Sequence, residues 1–128
     1  MTIAHMHRQD AALTDDLADA LFEMANLFPR TTGLPMTVWV SPRGGARHDA
    51  RIKVSLTPGK MDITNTAVVA IRPHPNLVAG DLSTEDFDAV SQWVTANQTA
   101  LLDFWDERID SVELGSRLIR LDGKADRR

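Results

Sequence analysis

Arg43, Arg47, His48, Asp49, Arg51 and Lys53 crowd into one short stretch, PRGGARHDARIKV. The chain holds 14 basic residues against 18 acidic ones, so this stretch is a local positive feature on an acidic body. Guanidinium and ammonium groups neutralise phosphates or carboxylates, and an indole such as Trp39 offers a stacking platform beside them. His48-Asp49 has the residue types of an acid–base pair. A small hydrolase-type enzyme would pair His48 with Asp49 or with Asp62. Neighbouring residues in a strand or turn point apart, however, which favours a solvated turn histidine. His5 and His7 stand two apart, but a metal site needs three or four ligands and none accompany them. The Gly44-Gly45 pair fits neither GxGxxG nor GxxxxGK[ST], and no GxSxG elbow occurs. The expectation is no catalytic residue, no metal and no cofactor, with Trp39, Arg43, Arg47, His48, Arg51 and Lys53 as candidate binding residues.

These residues need a hairpin to position them. In 50–57 the faces separate cleanly: Ile52, Val54 and Leu56 on one side, Arg51, Lys53 and Ser55 on the other. In the preceding strand Met36, Val38 and Val40 share a face, and Thr37, Trp39 and Ser41 the other. Burying the aliphatic sets puts Trp39 beside Arg51 and Lys53. Gly44 and Gly45 supply the positive φ that hairpin loops demand. TAVVAIR, 66–72, reads as a third, antiparallel strand ended by Pro73 and Pro75, which hold His74 extended. Residues 76–80 read as a lead-in to the next helix.

Two helices flank this sheet. Thr14 to Phe28 carries Leu13, Leu17, Ala20, Leu21, Met24, Leu27 and Phe28 at helical spacing, with Thr14 as N-cap and Pro29 as terminator. Phe22 lies almost opposite that stripe near Ala18 and Ala25. This group is a candidate docking ridge, although one exposed aromatic is also ordinary surface. The second helix runs from Ser83, with Asp86 three residues on in a capping-box-like pattern, to about Asp106. Phe87, Val90, Val94, Leu101, Phe104 and Trp105 form its inner stripe. Glu85, Asp88, Gln92, Thr99, Asp103 and Asp106 form a charged or polar outer face, as solubility requires. Asn97 falls in the inner stripe, where an amide without partners costs about 1–3 kcal/mol. Its expected role is structural, bonding backbone at a strand end or turn. Residues 111–121 divide into SVEL, a short helix, and RLIRL, a closing strand with Leu118 and Ile119 inward.

The spacing Trp93, Asn97, Leu101-Leu102 and Trp105, preceded by Gly80-Asp81-Leu82, resembles an uncharacterised family of small bacterial proteins often encoded near toxin–antitoxin genes. That resemblance implies a few antiparallel strands followed by one long helix, and it covers about 31–121. The family's paired histidines after a proline in the hairpin are replaced here by His48 alone, and the N-terminal helix is extra. The family has no settled activity, so the resemblance bears on fold more than on function.

At 128 residues the chain fits one domain, read as a flexible lead-in 1–12, a domain 13–121 and a flexible tail 122–128. The fold class is α+β: an antiparallel sheet of three to four strands packed on one long C-terminal helix, with the N-terminal helix on the sheet's edge or other face. There is no cysteine and no long apolar run, so disulfides, thiolate chemistry and a membrane span are excluded, and a cytoplasmic location is expected. A net charge of −4 argues against whole-surface attraction to nucleic acid or anionic lipid. The leading expectation is a non-catalytic module that binds another protein, in a toxin–antitoxin or phage-defence setting. Nucleic-acid binding by the basic hairpin 43–53 is the alternative. A homodimer would form through a strand edge or the Phe22 ridge.

Overall fold

The computed structural model describes residues 24–57, 61–62 and 64–121. Within them the fold is α+β, built on one five-stranded antiparallel sheet in the order β1-β2-β3-β4-β5. The strands are β1 (Ala25–Leu27), β2 (Val38–Val40), β3 (Arg51–Ser55), β4 (Thr66–Ala70) and β5 (Asn76–Ala79). Strands follow one another as neighbours because every connection is short enough to fold straight back.

The sheet's front face is the core. Val38, Val40, Ile52, Val54, Ala67 and Val69 alternate inward and are essentially unexposed. Lys53, between Ile52 and Val54, is exposed, so the period-two reading holds over 51–54, but the end of the strand is corrected: Ser55 is buried, its hydroxyl accepting the Asp62 N–H and donating to Thr57 O, and Leu56 is exposed. Helix α2 (Thr84–Ala96) and helix α3 (Gln98–Trp105) cover this face with Val90, Trp93, Val94, Leu101, Phe104 and Trp105. Helix α4 (Ser111–Arg117) adds Leu114. Ser83 caps α2 by accepting the Asp86 N–H at 3.0 Å, as its spacing predicts.

Two strands were not legible as strands. Ala25–Leu27, expected as the last turn of the first helix, is β1, pairing Ala25 with Val40 and Leu27 with Val38. A three-residue A-x-L window satisfies both periods, and the unpaired edge of β2 decides between them by supplying ladder hydrogen bonds. The rest of that helix, with Ala18 and Phe22, lies outside the described residues, as do 1–12 and 122–128. Ala25 is half-buried against the core rather than on a helical ridge. The lead-in 76–79 is β5, which pairs with β4 across a register shift at Val68/Val69. Only Leu77 of β5 reaches the core, so no alternation marks it. Gly80 ends it with φ +78°, and a Cβ there would stand 2.7 Å from Thr66 O. Only glycine adopts that conformation without steric cost.

The long helix is also corrected. It breaks at Asn97 (φ −114°, ψ 15°) into α2 and α3. Asn97 is buried, and its Nδ2 donates to Trp93 O (2.9 Å) and Ile119 O (3.0 Å) while its Oδ1 accepts the Ile119 N–H at 2.7 Å. This clamp holds the segment after α4 extended against the helix break. Residues 118–120 therefore form no strand, and Ile119 is exposed rather than packed inward, while Leu118 touches the core. A short helix α1 (Pro29–Thr32), closed by left-handed Gly33, occupies the expected turn region, and its Thr32 O accepts the Leu121 N–H.

Candidate functional site

Sheet register builds the back face. One row crosses four strands as Asn26, Trp39, Lys53 and Val68, ending on Ala79 of β5. Arg51 stands one row away, opposite Ala70. Trp39, Arg51 and Lys53 thus share a face opposite the core, and the Lys53 ammonium lies 4.9 Å from the centroid of the Trp39 ring, a cation–π contact.

Trp39 keeps only 7% of its exposure, yet it is absent from the hydrophobic cluster that joins the front face to α2, α3 and α4. Its ring is therefore covered, and no open stacking platform exists there. Three buried polar atoms on this side lack a hydrogen-bond partner: Thr37 Oγ1, Trp39 Nε1 and Arg51 Nε. Desolvation lowers the pKa of Arg51, and desolvation together with the nearby Arg51 charge lowers that of Lys53. Neither cation has an acidic partner among the described residues. Unpaired, partly desolvated charge beside orphaned donors is unfavourable unless an acceptor arrives.

The hairpin tip is a separate surface. Arg43, Arg47 and His48 are exposed. The tip is pinned to the end of α3: Arg43 N donates to Trp105 O at 2.8 Å, Gly44 N donates to Glu107 Oε2, and the His48 ring packs 5.5 Å from that of Trp105. His48 Nδ1 lies 2.9 Å from the Asp49 carbonyl oxygen, which only accepts, so Nδ1 carries the proton. The Asp49 carboxylate is instead taken in a fork by Arg72 Nε and Nη2 at 2.7–3.0 Å. That pairing holds the Asp49 pKa down, to about 2, with the Ala50 N–H assisting. The structure therefore does not bring His48 and the Asp49 carboxylate together. Asp62 is engaged locally by Thr57 and Thr64.

Sequence reading missed Arg72 and Trp105 as parts of this tip. The signal was register: Arg51 opposite Ala70 places Asp49 opposite Arg72 two residues further out, and Ile71 N donating to Ala50 O continues that ladder. Elsewhere, a shallow groove beside α2 is lined by Pro75, Ser91, Gln92, Thr95 and Ala96, none of which titrates. Among the described residues no group of three or more His, Cys, Asp or Glu side chains is placed to hold a metal, and no helix is long and apolar enough to cross a membrane.

No family model, no curated protein and no solved structure matches the chain.

Proposed function

We propose that this protein is a non-catalytic binding module that acts through protein–protein contact, and that its back sheet face is the contact. The observation that carries this reading is the cluster of Trp39, Arg51 and Lys53. Two partly desolvated cations flank a covered indole, and among the described residues neither cation has an acidic partner and the indole N–H has no acceptor. A partner of complementary chemistry is an amphipathic segment with carboxylates along its flank. It would meet the exposed Lys53 and half-buried Arg51 at the margin of the covered indole and neutralise both cations. The resemblance of the Trp93–Trp105 pattern adds a toxin–antitoxin or phage-defence setting as the context for that partner.

The alternatives have less support. Nucleic-acid binding needs the cations on one accessible surface. Here Arg43 and Arg47 stand at the tip with Asp49 and Glu107 among them, while Arg51 and Lys53 lie on the sheet. Hydrolase chemistry needs His48 and a carboxylate in contact, and Asp49 is committed to Arg72.

The test is affinity purification of the tagged full chain from its native host, beside an Arg51→Glu/Lys53→Glu variant verified as folded by circular dichroism. A stoichiometric protein held by the wild type and lost from the variant is expected. No partner, or a partner retained equally by both, refutes the reading. Enrichment of nucleic acid that falls steeply with salt would replace it with the basic-hairpin alternative.

A further inference from the structure

We infer that Arg51 and Lys53 together form a binding site for one dianionic phosphoryl group. The inference rests on reading the back sheet face as a contact surface, and it names the chemical group which that face receives.

Strand geometry puts the two cations side by side. They stand two residues apart on one face of β3, with Cα atoms about 6.8 Å apart. Burial lowers the pKa of both, and the Arg51 charge lowers that of Lys53 further, so each charge acts on the other. Two like charges held together and partly out of water are unfavourable until an anion joins them.

Among the described residues the fold supplies no such anion. Across the face, the register places Asn26 and Trp39 on one side of the pair and Val68, Ala70 and Ala79 on the other, none of them acidic. Along β3 in one direction, the Ser55 hydroxyl is committed to the Asp62 N–H and the Thr57 carbonyl. In the other direction, the Asp49 carboxylate is held in the fork of Arg72. The face holds donors instead. Arg51 Nε, Trp39 Nε1 and Thr37 Oγ1 are buried, and none has a hydrogen-bond partner. Cations and donors gathered without an acceptor are the complement of an oxyanion.

Charge selects the phosphoryl group. Lys53 is exposed and Arg51 half-buried, so a ligand reaches them at the margin of the covered indole. The Lys53 ammonium is steadied by the Trp39 ring, 4.9 Å from its centroid. An ammonium on one side and a planar guanidinium on the other donate to different oxygens of one group. Two charge-assisted hydrogen bonds of about 2.8 Å span most of the gap between neighbouring heads. A phosphoryl group carries a charge of about −1.5 to −2 at pH 7 and three acceptor oxygens, so it balances both cations alone. One carboxylate leaves a cation over, and two carboxylates do the same work only when a partner holds both in register.

Titration of the purified full chain with inorganic phosphate tests the site, with ionic strength held constant by chloride. Calorimetry reads the affinity, and amide shifts in NMR read the place. Saturable binding that moves the Arg51 and Lys53 amides is expected. Acetate, with one charge, should bind at least about tenfold more weakly. Arg51→Gln and Lys53→Gln, each verified as folded by circular dichroism, should each weaken phosphate at least about tenfold, the loss of one charge-assisted hydrogen bond. Arg30→Gln removes the same charge from exposed α1 and should change the affinity less than about twofold. Lys53 is exposed, so Lys53→Gln carries the test if Arg51→Gln does not fold. No saturation, or acetate binding as well as phosphate, overturns the inference. Shifts that chloride reproduces, or an equal loss in Arg30→Gln, overturn it as well and mark an adventitious ion only. A free phosphate ester and a phosphorylated side chain of a partner both present this group. Once phosphate binds, phosphatase treatment of the host extract before affinity purification separates them: loss of the captured protein assigns the side chain, and its retention assigns the free ester. The titration needs no partner, so its failure leaves the purification test standing. Saturable phosphate binding with no captured protein refutes the protein-contact reading alone.

Discussion

Replacing Asn97 with alanine removes the clamp between the α2–α3 break and the segment after α4. Three hydrogen bonds disappear together: Nδ2 to Trp93 O, Nδ2 to Ile119 O, and the Ile119 N–H to Oδ1. The first is fully buried, so the loss there is that of a stranded buried amide contact, roughly 1–2 kcal/mol. The two at Ile119 are partly buried, and that residue keeps 57% of its surface. Water therefore recovers much of their worth, leaving about 0.5 kcal/mol each. The sum is a destabilisation of roughly 2–3 kcal/mol, or a fall in Tm of about 10 °C for a domain of this size. Urea unfolding followed by tryptophan fluorescence measures it, and the transition should move without a change in m-value. Native-state hydrogen exchange gives the local half of the argument. The Ile119 amide should lose its protection in the variant before the strand amides of β3 do. A loss below about 0.5 kcal/mol, or an Ile119 amide as protected as before, would refute the clamp as the reason the helix breaks where it does.

The remaining predictions concern the hairpin tip and two glycines. Asp49 is held to about 2 by Arg72, so the pair stabilises the fold above the ordinary carboxylate pKa of 3.8, and that contribution is lost as pH falls from about 4 through about 2. The Asp49 and Arg72 side chains are substantially exposed, at 58% and 39%. Screening by water therefore leaves at most about 1 kcal/mol. Arg72→Ala should return the Asp49 titration towards 3.8 by NMR, and an unmoved titration would discount the pairing. Gly80→Ala forces a Cβ to within 2.7 Å of Thr66 O at φ +78°. That substitution should cost roughly 2 kcal/mol in urea unfolding. Gly115→Ala, inside α4 with nothing within 4 Å of the new Cβ, meets no such obstacle. It should instead stabilise by roughly 0.5–1 kcal/mol. Equal signs for the two glycines would contradict the backbone argument.

Much of the frame was legible because it rests on local periodicity. Ile52 and Val54 face in and Lys53 faces out because a strand's side chains alternate, and the partner strand simply receives them. Ser83 caps α2 through a hydroxyl and an amide three residues apart, which needs no distant contact. The grouping of Trp39, Arg51 and Lys53 on one face followed from the same alternation across two strands.

What failed to show were features that depend on a neighbour far along the chain. Residues 25–27 carry an apolar spacing that fits a helix as well as a strand, and only the vacant edge of β2 chose. The strand β5 has almost no pattern of its own and exists because β4 offers it a ladder. Asn97 breaks a helix of good formers because Ile119, 22 residues on, offers a backbone N–H and carbonyl to a buried amide. Asp49 looked like the partner of His48 until β4 brought Arg72 beside it.

By itself, then, the amino-acid sequence determined that Ile52 and Val54 turn in, that Ser83 starts α2 and that the basic hairpin separates Arg51 and Lys53 from those aliphatics. Those properties follow from bond geometry and burial over a few residues. Tertiary structure alone decided the number of strands, the break at Asn97, the Asp49–Arg72 fork and the burial of Trp39 outside the core. Each is a pairing of groups distant in the chain, whose energy appears only once the sheet has set their register.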